Sequence, residues 1–334
     1  MSPAPRGLAI ALALALAAAP AGAWRLFGDP SDGKIRPAQR LSDDHKPTEV
    51  LAALTPQFLQ TLRGTDLRQA YILMGDSHAA LGREADALGD YQLGASLFPK
   101  NVDLLTRLAT LLHRNGLDEK AKPLFQAALL YEPRHWGAHL GLAEIDKRFG
   151  FYDRAADHYE IAIGVLSKNA GVWRDYAEVL LALHETVTAD LALAKALALE
   201  PRSPDAHVLL AFVRRAHNPP DIAGAVAELD AALALGADVG ALRAKALFLL
   251  EANRLDEARA AADEVLRTVP GDGAARWVRA RAFMSRGDEG AAGRELLQVK
   301  SPDGLDSFAV RAARTLRDET LLLKSRRGAP TDAR

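Results

Sequence analysis

No cysteine occurs among the 334 residues. That absence removes disulfides, thiolate metal sites, cysteine nucleophiles and an acylated lipoprotein cysteine. Aromatic residues are sparse at 6%, so the interior has to be filled mainly by aliphatic and small side chains. Neither charge sign dominates: 42 basic residues face 43 acidic ones, for a formal net charge of -1. Without a positive field, nucleic acid and anionic membrane are not expected as partners. The glycines stand singly, with no phosphate-cradling glycine loop, and no serine sits in a nucleophile elbow. Beyond Ala23 no apolar run approaches the roughly 20 residues that span a bilayer.

The N-terminal segment is where apolar residues do run together. Arg6 precedes the stretch Leu8 to Ala19, Pro20 breaks it, and Ala21-Gly22-Ala23 follows. This is the pattern of a secretory signal over residues 1–23, cleaved after Ala23 to leave Trp24 first. An uncleaved anchor fits less well, because the run is short and interrupted by Pro20. The expected location is periplasmic or secreted, where a chain without cysteine is indifferent to oxidising conditions. Residues 24–47 are polar, rich in Asp, Arg and Pro, and lack an apolar period, so they read as a flexible linker. Residues 48–67 read as an N-terminal helical segment that restarts at Thr55-Pro56, where Thr caps and Pro takes the first helical position.

From Arg68 the chain falls into register with itself. Blocks 68–101, 102–135, 136–169 and 170–203 follow without a gap at a period of 34. Position 8 is small (Gly75, Ala109, Ala143, Ala177), and position 20 is alanine throughout (Ala87, Ala121, Ala155, Ala189). Position 24 is large (Tyr91, Phe125, Tyr159, Leu193), position 27 is small (Gly94, Ala128, Ala162, Ala196), and position 32 is mostly proline (Pro99, Pro133, Ser167, Pro201). Small residues let two helices cross closely, the large residue fills the space against the next pair, and proline ends the second helix. Gly82, Gly116 and Gly150 turn the chain between helices. Three looser units follow at 204–238, 239–272 and 273–301, the first with a longer turn at Asn218-Pro219-Pro220. Residues 302–323 read as a capping helix and 324–334 as a disordered tail.

This pattern resembles the tetratricopeptide repeat family over residues 68–301. The resemblance implies an all-α fold: a right-handed α-solenoid of about seven helical hairpins plus the C-terminal cap. Stacking is required because one hairpin cannot bury its own apolar face. It also implies a non-catalytic scaffold that binds a partner peptide or helix in a concave groove, with no cofactor. Together with export, it points to envelope assemblies such as cytochrome maturation, pilus or secretion machinery, or polysaccharide export. A glycan- or ligand-binding accessory subunit is the alternative, and homo-oligomerisation through the terminal helix stays open.

Catalytic and metal constellations are not found. His135 and His139 are four apart with His158 following, a spacing that could share a metal. However, His135 falls at a turn, and His139, like His78 and His207, falls at a packing position. By family resemblance, first-helix positions 2, 5, 9, 12 and 13 line the groove. They give a charged middle of Arg114, Glu144, Lys147, Arg148, Arg174 and Glu178, and an apolar end with Phe212, Leu247, Leu250, Trp277 and Met284 beside Arg215, Arg243 and Arg281. Arginine and aromatic side chains are favoured anchors for a protein partner. For Trp277, binding and packing are equally open. The Lys and Asn clamp of the chaperone-binding subfamily is absent, since its positions hold Ile72 and Asp76, Thr106 and Thr110, Leu140 and Glu144.

Overall fold

The computed structural model describes residues 33–299, and every regular element among them is a helix. The expected signal segment, capping helix 302–323 and tail 324–334 lie outside the described residues. No helix among the described residues is long and apolar enough to cross a membrane. The chain divides into two compact units after Leu166.

Unit one opens with three short helices, α1 (Arg36–Asp43), α2 (Pro47–Ala53) and α3 (Pro56–Leu59). Three hairpins follow: α4 (Gly64–Ala80) with α5 (Glu84–Leu97), α6 (Val102–Arg114) with α7 (Asp118–Tyr131), and α8 (Trp136–Arg148) with α9 (Tyr152–Val165). Unit two carries four: α10 (Ala170–Ala182) with α11 (Thr186–Leu199), α12 (Pro204–Ala216) with α13 (Ile222–Ala234), α14 (Val239–Glu251) with α15 (Leu255–Thr268), and α16 (Gly273–Ser285) with α17 (Glu289–Leu297). Within each unit, helices pair inside a hairpin and each second helix packs on the next first helix.

Local chemistry sets the boundaries. The last residue of a block caps the next first helix, since a short acceptor side chain satisfies amides left free in the first turn. Asn101 accepts from the Leu104 amide at 2.9 Å, Asn169 from Val172 at 3.2 Å and Asp272 from Ala275 at 2.9 Å. Between the helices of a hairpin the backbone turns through a positive φ at Gly82, Gly116, Gly150 and Gly287, with His184 and Asn253 taking the same role. Prolines 99, 133, 201 and 270 each stand two residues beyond the end of a second helix. The position-20 alanines are fully buried, and so are Phe125 and Tyr159 at position 24. Phe125 presses on the backbone of Gly141 in the next hairpin, the role its position predicts.

The linker expected over 24–47 is corrected within the described residues. Residues 36–43 form α1, with Ile35 and Ala38 buried in the unit-one core. The carboxylate of Asp66 on α4 accepts from the amides of Gly33 at 3.3 Å and Lys34 at 2.8 Å. Two buried apolar residues and one anchored turn are too little to make a period in the sequence. The first repeat helix also begins at Gly64, ahead of the block boundary at Arg68. The helix restart at Thr55 matches expectation, with its Oγ1 accepting from the Phe58 amide at 3.2 Å.

Candidate partner-binding faces

In unit one, positions 5 and 12 do not line an open face. Ile72, Thr106 and His113 are buried between helices. The exposed charges come from positions 2 and 13 instead: Asp103 and Arg114 at the two ends of α6 and Arg148 at the end of α8. Both arginines have partners. Arg114 stands 3.7 Å from Glu84. Arg148, half exposed, donates to Asp118 Oδ2 at 2.6 Å.

Asp118 is itself buried, and its Oδ1 lies 2.6 Å from His113 Nδ1. The other ring nitrogen of His113 faces Glu144 at 3.3 Å. An imidazole can donate from both nitrogens only when protonated. Glu144 and Asp118 therefore raise the His113 pKa above its ordinary value, against the opposing effect of burial. So Glu144 and Arg148, expected to face a partner, also brace the contact between the second and third hairpins. Lys147 is half-buried beside them.

The other histidines pack as well. His135 caps α8, its Nδ1 accepting from the Ala138 amide at 3.2 Å. His139 Nε2 lies 2.9 Å from the Pro133 carbonyl, so it donates there and its Nδ1 accepts from His158 Nδ1 at 2.9 Å. Burial and the facing His139 push the His158 pKa down. Among the described residues no group of three or more His, Cys, Asp or Glu side chains could hold a metal ion.

These opposed shifts shape stability against pH. A raised histidine contributes fully below its unfolded-state value of 6.5, and the contribution is lost as pH climbs through the higher folded value. A lowered one contributes fully above 6.5 and loses ground as pH falls from there toward its folded value. These two groups therefore favour stability near pH 6.5, with a decline on the alkaline side from His113 and on the acid side from His158. Denaturant melts should show that His113→Gln flattens the alkaline slope and His158→Gln the acid slope. A profile that neither substitution changes would refute both assignments.

In unit two, Arg174 on α10 reaches Asp175 at 3.3 Å and Asp205 at 3.6 Å, with Glu178 exposed one turn on. Phe212 on α12 is 38% exposed and meets Phe248 edge-on, ring centroids 5.3 Å apart. Arg215 lies over the Phe248 ring at 5.4 Å and pairs with Glu251 at 2.6 Å. Arg243 is different: its guanidinium is spent on the buried Asp272, at 2.7 Å and 2.6 Å. Trp277 is half-buried against two apolar clusters, and its indole nitrogen is buried with no acceptor among the described residues. Arg281 is exposed. Thus the structure brings Phe212 and Arg215 together on one surface, while Arg243 and Trp277 belong mainly to packing.

No family model matches the sequence, and no curated protein matches it. Solved structures do. The pilF protein of Pseudomonas aeruginosa aligns with a TM-score of 0.54 at 17% identity, over 64% of this chain and 96% of that one. A tetratricopeptide repeat protein from Parabacteroides merdae aligns with a TM-score of 0.54 at 14% identity, over 76% of this chain and 98% of that one. The fold is that of the tetratricopeptide-repeat proteins.

The tetratricopeptide lining rule looks only along first helices, and it misses exposed aromatics at a hairpin turn. Phe149, Phe151 and Tyr152 stand out around the turn of the third hairpin. The Arg154 guanidinium sits 4.3 Å above the Phe151 ring. Their signal was in the register: the corresponding positions of the second block read Asn115, Leu117 and Asp118, and of the fourth Leu183, Glu185 and Thr186.

Proposed function

We propose that this chain is an exported, non-catalytic scaffold that holds a partner peptide or helix on its first-helix faces while an envelope complex assembles. The observation that carries the reading is the ledge on α12 and α14. Phe212 offers part of an aromatic face to solvent on a rigid support, Phe248, and Arg215 is held beside it. A supported ring gives a partner's apolar side chain a place to bury, and the exposed Arg215–Glu251 pair is weak enough for a partner's carboxylate to take the place of Glu251. Export rests on the N-terminal signal pattern, and the tetratricopeptide fold supplies the scaffold character.

Arg148→Glu is a poor probe of this reading, because it also removes the brace on Asp118. Phe212→Ala with Arg215→Glu is better, since both side chains are exposed and the surface pair of Arg215 with Glu251 contributes little to stability. In crosslinked pull-downs from the envelope fraction, wild type is expected to recover a partner at least about fivefold better than the double variant, a difference of roughly 1 kcal/mol. Equal recovery would refute this face, and recovery only from cytosolic extract would refute export.

A further inference from the structure

The outer side of α11 differs from its counterparts in the other blocks. At block position 18, Ala85, Glu119 and Asp153 precede Val187; at position 22, Gly89, Pro123 and Asp157 precede Leu191. Val187 is 73% exposed and Leu191 66%, and Ala194 and Ala198 are exposed on the same side. The core-facing side of α11 is already supplied by Ala189, Ala192, Leu193 and Ala196. Helices with an exposed apolar stripe gain by covering it, about 1.5–3 kcal/mol for each large aliphatic side chain fully buried.

Spacing and charge identify what covers it. Val187, Leu191, Ala194 and Ala198 follow one another at steps of four, three and four, the d-a-d-a seam of a heptad. Asp190 and Lys195 flank that seam on opposite sides, five residues apart. When two identical helices lie side by side in the same direction, a flanking residue meets the residue five further along on its twin. Asp190 of each copy then stands opposite Lys195 of the other. Lys195 is exposed and has no ion pair among the described residues, while Asp190 has only a 3.9 Å contact with His217. A stripe that carries its own acid and base at that spacing is complementary to itself.

We propose that the outer face of α11 is a self-association surface that pairs in parallel with α11 of a second copy of this chain. Ala194 and Ala198 let the two backbones approach closely. The twofold arrangement closes on itself, so it yields a dimer rather than a filament. One helix pair buries little area, which places the dimer at the weak end of specific interfaces. The surface lies on a second helix and is independent of the partner ledge on α12.

Sedimentation velocity on the full chain over about 1–100 μM tests this. A concentration-dependent monomer–dimer equilibrium is expected, with Leu191→Glu leaving monomer throughout. Asp190→Lys and Lys195→Glu should each weaken the dimer about tenfold or more, by placing like charges opposite. The double reversal should restore it, and thermal melting at about 1 μM, where wild type is monomeric, should be unchanged in all four variants. Monomer at every concentration, a dimer indifferent to Leu191→Glu, or a double reversal no better than either single one would overturn the proposal. So would Leu191-dependent binding to phospholipid vesicles without self-association.

Discussion

Gly141→Ala is expected to destabilise the chain by about 2–3 kcal/mol, although alanine is the better helix former by about 1 kcal/mol. Gly141 lies within α8, so propensity alone favours the substitution. Packing opposes it. A Cβ at residue 141 would lie 2.1 Å from Phe125 Cζ and 2.5 Å from Cε2. Phe125 is fully buried and cannot swing into solvent, so the ring or the whole α8 backbone has to shift. Gly89 and Gly164, inside α5 and α9, have no atom within 4 Å of the corresponding point. Alanine at either is expected to stabilise by about 0.5–1 kcal/mol. Three identical substitutions thus carry opposite signs, and urea unfolding reads the difference directly. Phe125→Leu in the Gly141→Ala background should recover part of the loss, since it withdraws the colliding ring. Full stability in Gly141→Ala alone would mean that Phe125 does not pack against α8 as described.

The same residue shows where sequence reasoning ends. That an aromatic at position 24 fills space against the next hairpin was legible from the register. Its contact was not, because position 6 of the blocks reads Leu73, Arg107, Gly141 and Asp175, with no common character. The helical hairpins, turn glycines and proline stops could be read because each is a local requirement repeated every period. The helix α1 could not, since a tertiary anchor on Asp66 holds it rather than any pattern of its own.

The site was legible in a similar, partial way. Carrying positions onto first helices found exposed ends such as Arg114, Phe212 and Arg281. It did not reveal which charges were already engaged, because their partners sit in the adjoining block or, for Arg243, at the cap of the next hairpin. His113 reaches Glu144, Arg148 reaches Asp118, Arg107 reaches Asp76 and Arg243 reaches Asp272. Each pair is separated by a little less than one repeat, the distance at which a stacked array brings side chains together. A charge on a first helix of such an array is therefore a candidate for a partner only after its neighbour one period away has been considered.

Arg243 and Asp272 make that distinction measurable, and Asp272→Ala is expected to cost about 2–4 kcal/mol. Asp272 is 1% exposed and serves two roles at once. Its Oδ1 caps α16 through the Ala275 amide, a contact whose loss costs about 1 kcal/mol. Its Oδ2 accepts from Arg243 Nε and Nη2. Arg243 is about a quarter exposed, so once stranded it can turn partly to water, which keeps the loss below that of a fully buried pair. Asp272→Asn keeps an acceptor for the cap and should cost less, about 1–2 kcal/mol. Arg243→Ala strands the more deeply buried member, the carboxylate, and should cost as much as Asp272→Ala. The double variant should then lose less than the sum of the singles, with a coupling above about 1 kcal/mol in an unfolding cycle. Additive losses would show that the pair does not form. An Arg243→Ala chain with full stability and a lost partner would return Arg243 to the binding face. The geometry requires the reverse, reduced stability with partner recovery unchanged in the folded fraction, because the guanidinium that a partner would need is already held by Asp272.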